Sequence, residues 1–153
     1  SNYGIGTDGR IGMYVEEKHR AWTSSNRAND EVAVTIEVAN DGGAPNWHVS
    51  DKALAALIDL CVDICKRNGI AKLNWTGTAS GNLTIHKFFA ATSCPGPYLE
   101  SKMGYIAEQV NKRLAAPTSN KLYRVQVGAF KNKDNADALL KRLKAAGFDG
   151  YIK

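Results

Sequence analysis

The sequence predicts an α/β chain, and three observations predict it. Short runs that read as strands recur along the first 75 residues. Two longer stretches carry apolar residues at helical spacing. The pattern then restarts after a break of turn residues near position 117.

Taken in order, residues 3–6 and 10–15 are two short apolar runs. Asp8-Gly9 between them marks a hairpin, because glycine accepts the positive φ of a tight turn. "EVAVTIEVA" (31–39) alternates and reads as a strand. Glu37 sits between Ile36 and Val38 in its most apolar part; a carboxylate on a buried strand is costly unless solvated, paired or put to use. "NDGGAPN" (40–46) is a loop. Ser50 then caps a helix over 51–68, whose stripe is Ala53, Leu54, Leu57, Cys61, Ile64 and Cys65 and whose stop is Gly69. "AKLNW" (71–75) predicts a strand and "TGTASGN" (76–82) a loop. A second helix spans 98–114 on the stripe Leu99, Met103, Ile106, Val110 and Leu114.

"AAPTSN" (115–120) is a linker by composition. "LYRVQVGAF" (122–130) is a strand, a helix with Ala136, Leu139, Leu140 and Leu143 follows, Gly147 ends it, and "GYIK" opens another strand. Two strands and one helix bury little core alone, so this tail is half of a small βαβ-type module or docks on a partner.

The apolar share of 44% is that of a globular protein, and no apolar run approaches the roughly 20 residues of a membrane span. The start, "SNYGIGTDGR", lacks the basic and apolar regions of an export signal, and its early strand reads as the middle of a longer protein. The net charge of +5 favours polyanionic surroundings such as nucleic acid, phospholipid or anionic wall polymer. The basic residues are scattered except near Lys141, Arg142 and Lys144, and no aromatic series lines a basic groove, so nucleic acid is not the expected partner. Three cysteines specify no disulfide framework; Cys61 and Cys65 share one helix face as core residues.

In "HKFFAATSCPGPYL" (86–99), His86 and Cys94 are suitable zinc donors eight residues apart. Pro95 and Pro97 fix φ on both sides of Gly96 and would hold a loop that folds back. On spacing alone, a metal pair and a loop histidine beside a buried cysteine both stay open.

The same stretch resembles the signature of the zinc-dependent type 2 N-acetylmuramoyl-L-alanine amidases, a family of phage and bacterial lysins and animal peptidoglycan-recognition proteins. "NYGIGTDGRIGMYVEEKHRAW" is similar to that family's hairpin and the segment closing on Ala-Trp, and "VAVTIEVAN" to the strand that presents its active-site glutamate. The resemblance covers residues 1 to about 114 and implies a central mixed β-sheet flanked by helices. It implies Zn2+ as cofactor, with His86 and Cys94 as two of three ligands and Glu37 as general base or stabiliser. The implied reaction hydrolyses the amide between N-acetylmuramic acid and L-alanine of the stem peptide. Asn2, Trp22 and Asn40 match positions lining the substrate groove, with core packing the other reading of Trp22. Thr92 matches a catalytic position where some relatives carry lysine, and offers a neutral hydroxyl. Ser1 matches a position where some relatives carry a catalytic tyrosine, and Tyr3, two residues on, packs in the strand.

The family's first zinc histidine lies upstream of the hairpin, and His19 and His48 do not occupy its motif. The chain as given is therefore expected to hold two ligands, to bind metal poorly, to hydrolyse little and to lose stability with the absent strand. "LYRVQVGAFKNKDNADALLKRLKAAGFDGYIK" resembles the start of a SPOR-type repeat, a βαββαβ module that binds glycan stripped of stem peptides. The expected organisation is an amidase domain over 1–114, a linker over 115–120 and the first half of that module over 121–153. The expected partner is peptidoglycan, at the cell wall or outside the cell, as a phage lysin or secreted autolysin. The alternative is a peptidoglycan-binding module without catalysis.

Overall fold

The computed structural model describes residues 1–116 and 125–152. Two compact units divide the chain, Ser1–Pro117 and Thr118–Lys153. In the first, β1 (Tyr3–Ile5) pairs antiparallel with β2 (Ile11–Met13) and parallel with β3 (Ile36–Val38), in the order β2-β1-β3. With the helices described below, this mixed sheet makes the predicted α/β fold.

The Asp8-Gly9 turn forms as the sequence indicates. Gly6 N–H donates to the Arg10 carbonyl at 2.9 Å and Gly9 N–H to the Gly6 carbonyl at 2.9 Å. Gly9 has φ 83°, and a Cβ there would lie 3.0 Å from the Lys52 carbonyl oxygen, so glycine is required twice over.

The third strand is shorter than the alternation suggests. A one-turn helix, α1 (Arg27–Asp30), precedes it, capped by the Asn26 side chain. Thr35 joins the two regions: its carbonyl accepts from Asn2 N–H (2.9 Å) and Tyr3 N–H (3.1 Å). Glu37 is exposed, not buried. Side chains alternate across a strand, and Glu37 falls on the opposite, more exposed face from Ile36 and Val38.

Helix α2 (Asp51–Arg67) starts on Ser50, whose hydroxyl accepts from Ala53 N–H at 3.1 Å, and buries its whole predicted stripe. After it, Ile70 N–H donates to the Cys65 carbonyl at 2.8 Å, turning the chain out of the helix. Helix α3 (Pro97–Ala115) packs on α2, with Leu99, Met103, Ile106 and Val110 buried.

No strand forms at 71–75. The backbone of Leu73 is satisfied by a side chain instead: its N–H donates to Asn111 Oδ1 (2.8 Å) and its carbonyl accepts from Asn111 Nδ2 (2.9 Å). A primary amide of α3 thus does the work of a neighbouring strand, and Leu73 is buried without one.

A polar latch joins the hairpin to the end of α2. Glu17 accepts from Tyr3 Oη (2.8 Å), Arg67 Nη2 (2.7 Å), Arg67 Nη1 (3.0 Å) and Asn68 Nδ2 (3.0 Å). The Arg67 guanidinium, foremost, holds the Glu17 carboxyl down to about 2, against the desolvation that would raise it. A depressed carboxylate stabilises the fold above its ordinary value of 4.5, and that contribution disappears as pH falls toward 2. Glu17→Gln is therefore expected to lower stability by about 1–2 kcal/mol at neutral pH and to flatten its loss between pH 5 and 2. Urea unfolding at several pH values reads both effects.

In the second unit the described structure is one helix, α4 (Lys133–Ala145), capped by Asn132 and closed by Phe148 N–H donating to the Leu143 carbonyl at 3.0 Å. The strands expected at 122–130 and after Gly147 are not strands over 125–130 and 148–152, where no described strand runs beside them; residues 121–124 and 153 lie outside the described residues. Val125, Val127, Phe148 and Tyr151 are exposed. Of the linker, Ala115 ends α3 and Ala116 is its C-cap; residues 117–120 lie outside the described residues.

Candidate metal and catalytic site

The loop after residue 85 folds back as its prolines predict. His86–Phe88 forms a single 3-10 turn, and Lys87 N–H donates to the Cys94 carbonyl at 3.2 Å, which brings the cysteine alongside the histidine. Gly96 N–H donates to the Ser93 carbonyl at 2.8 Å. Gly96 has φ 86°, and a Cβ there would meet the Trp47 side chain at 2.9 Å. The Cys94 loop is thereby pressed against the loop 40–48, and Tyr98 N–H fixes the contact by donating to the Asn46 carbonyl at 3.2 Å.

His86, Cys94 and Glu37 line one cavity of about 230 Å³. One wall is β3 with the residues before it, and the other is Leu83–His86. Leu57 and Cys61 of α2 and Leu99, Met103 and Ile106 of α3 form an apolar floor. The Nε2 atom of His86 is buried and has no hydrogen-bond partner. A buried imidazole nitrogen left bare is costly unless a ligand claims it. Burial, and secondly the charge of Glu37, raise the Cys94 thiol; burial, with Cys65 adding, pushes Cys61 up to about 12. Cys61 and Cys65 stay core residues, inert at neutral pH.

Asn40 also lines the cavity, and its amide donates to the Trp47 carbonyl (2.7 Å) and the His48 carbonyl (3.3 Å), which shapes the neighbouring loop. Thr92 is exposed and does not line the cavity; its Oγ1 accepts from Cys94 N–H at 3.2 Å and so fixes the cysteine's turn. Asn2 is not at the cavity either. It is 1% exposed, its amide reaches the Val15, Glu16 and His19 carbonyls, and its Oδ1 accepts from Thr35. With both ends engaged inside the fold, its side chain offers a ligand nothing.

Trp22 is 82% exposed, which removes core packing as its role. The Arg20 guanidinium stacks on it, 4.0 Å from the ring centroid. Behind this pair lies Asp30, which is buried. Burial alone would raise its carboxyl, but the Ser24 hydroxyl (2.7 Å), backbone amides and Arg20 hold it below its ordinary value. The neighbours Thr23 and Ser24 line the cavity, so the stack stands near its rim. Arg20 carried no signal in the sequence beyond its place two residues before Trp22. His19 is exposed, and so is His48, whose Nδ1 lies 2.6 Å from Asp41 Oδ1.

The donor set suits zinc in kind, since one imidazole and one thiol share a cavity and the imidazole nitrogen is bare. Among the described residues no group of three or more His, Cys, Asp or Glu side chains could hold a metal ion. Two donors from this loop are therefore what the described residues supply.

A family model described as N-acetylmuramoyl-L-alanine amidase matches residues 1–97, and one described as SPOR domain matches residues 100–153. No curated protein and no solved structure matches the chain. With the sheet, α2 and the His86–Cys94 loop lying within the first matched range, the chain belongs to the N-acetylmuramoyl-L-alanine amidase family.

Proposed function

We propose that the protein cleaves the amide between the lactyl group of N-acetylmuramic acid and L-alanine of the stem peptide, with zinc as cofactor. The family and the SPOR match support a peptidoglycan hydrolase or binding role at the cell wall. The observation that carries the finer reading is the bare, buried Nε2 of His86 on the cavity that Cys94 and Glu37 also line. His86 and Cys94 would hold the ion. When bound, zinc polarises the scissile carbonyl and brings water to a pKa of about 7.

The chain's own residues account for the proton and the substrate. Glu37, exposed on the cavity wall, takes the proton of the attacking water and returns it to the departing L-alanine amine. Thr92 holds the Cys94 turn, Asn40 shapes the groove loop, and the Arg20–Trp22 stack offers a flat face to a sugar ring.

We place the domain boundary at 115–120 although the SPOR match begins at 100, because α3 buries its stripe against α2 in the first unit. The second unit would bind glycan freed of stem peptides, the product of the first. The test is digestion of purified muropeptides by the protein. New L-alanine amino termini without new glycan reducing ends support the amidase reading. A second reading, wall binding without catalysis, is favoured by the two-donor count; intact muropeptides that are nonetheless retained by the protein would select it.

A further inference from the structure

Among the described residues two buried side-chain nitrogens lack a hydrogen-bond partner, His86 Nε2 and Arg20 Nε. The zinc reading claims the first and leaves the second. A guanidinium carries five N–H donors and no acceptor. Nη2 of Arg20 stands 4.0 Å from Asp30 Oδ2, beyond hydrogen-bond reach. Asp30 takes its hydrogen bonds elsewhere: its Oδ1 accepts from Ser24 N–H (2.9 Å) and from the Ser24 hydroxyl (2.7 Å). The Arg20 side chain is only 22% exposed, and the Trp22 ring covers one face of its guanidinium. Arg20 is thus a cation largely withdrawn from water with a bare Nε, a state that an anion relieves.

Ala21, 2% exposed, pins the chain between the two stacked side chains, and Thr23, Ser24 and Asn29 carry this end into the cavity. The chemistry of the substrate selects the anion. Once the lactyl carboxyl is tied up in the scissile amide, the sugar bears no charge, and the anionic groups left are the carboxylates of the stem peptide. A carboxylate fits the planar guanidinium fork through two parallel hydrogen bonds. The spacing also fits. The guanidinium lies 4.0 Å behind the Trp22 ring, and a sugar stacked about 4 Å in front of that ring stands roughly 8 Å from it. A lactyl group and two residues of extended peptide, about 7 Å or more, cover that distance.

We propose that Arg20 is a specificity-determining residue that binds a carboxylate of the stem peptide, while the outer face of Trp22 stays open to the sugar. This rests on the muramoyl-peptide reading above and gives that substrate a second point of attachment. The Trp22 ring shelters the ion pair from water, which strengthens it.

Calorimetry on the full chain, with Glu37→Gln to prevent turnover, measures the affinity of two N-acetylmuramoyl dipeptides that differ only in having their peptide carboxyl groups free or amidated. The free form should bind about 10- to 100-fold more tightly, and adding Arg20→Gln should abolish that preference by weakening the free form alone. Equal affinity of the two forms, or a loss in Arg20→Gln shared equally by both, overturns the proposal; a shared loss is what a role confined to holding Trp22 would produce. Urea unfolding checks the fold, because Arg20 also stands beside the buried Asp30. Should Arg20→Gln not fold, Arg20→Lys keeps a cation there without the fork, and an undiminished preference for the free form in that variant overturns the proposal as well. Failure of both dipeptides to bind sinks the muramoyl-peptide reading and this one with it, whereas binding without preference removes Arg20 alone.

Discussion

Glu37→Gln is expected to keep its metal and to lose about 10²- to 10⁴-fold in kcat, the usual contribution of a positioned general base. The substitution is nearly isosteric. The side chain is exposed, and the strand hydrogen bonds of β3 run through backbone atoms, so the fold has no stake in the carboxylate. Glu37 lines the same cavity as His86 and Cys94, which places it within reach of whatever occupies that cavity. KM should change little if Glu37 acts on the water and not on the sugar. Turnover equal to that of the parent would remove Glu37 from the mechanism.

The second large effect concerns His86. Its Nε2 takes part in no hydrogen bond, so His86→Ala deprives the fold of none through that atom. The metal-free variant should unfold at a urea concentration close to that of the metal-free parent. Zinc affinity should nonetheless fall by more than the roughly 10–100-fold that loss of a mere supporting hydrogen bond costs, and turnover should fall to background. A role in packing alone would show the reverse: lower stability, with unchanged metal content. Atomic emission on dialysed protein and urea titration of the same samples separate the two.

How much of this was legible in the residues depended on the range of the interactions. The Asp8-Gly9 hairpin, the α2 stripe from Ala53 to Cys65 and the α3 stripe from Leu99 to Val110 are local patterns, and each formed. The strand expected at 71–75 did not form: the backbone of Leu73 bonds to the Asn111 side chain, 38 residues away, and Lys72 and Asn74 bond to the Asn82 side chain. The exposure of Glu37 turned on what covers its face of β3, which alternation within 31–39 does not encode. Asn2 matched a groove position by resemblance, yet Thr35 and three carbonyls claim it for the junction of β1 and β3. His86 and Cys94 were legible as a pair through the prolines that fold their loop; the bare nitrogen emerged only with burial.

The most direct measurement is the electronic spectrum of the cobalt(II)-substituted chain, compared with its Cys94→Ser variant. A thiolate ligand gives an intense charge-transfer band that imidazole and carboxylate donors do not. The band should be present in the parent, weakened by His86→Ala, and absent from Cys94→Ser. An unchanged band in Cys94→Ser would put the metal elsewhere and contradict a centre shared by His86 and Cys94.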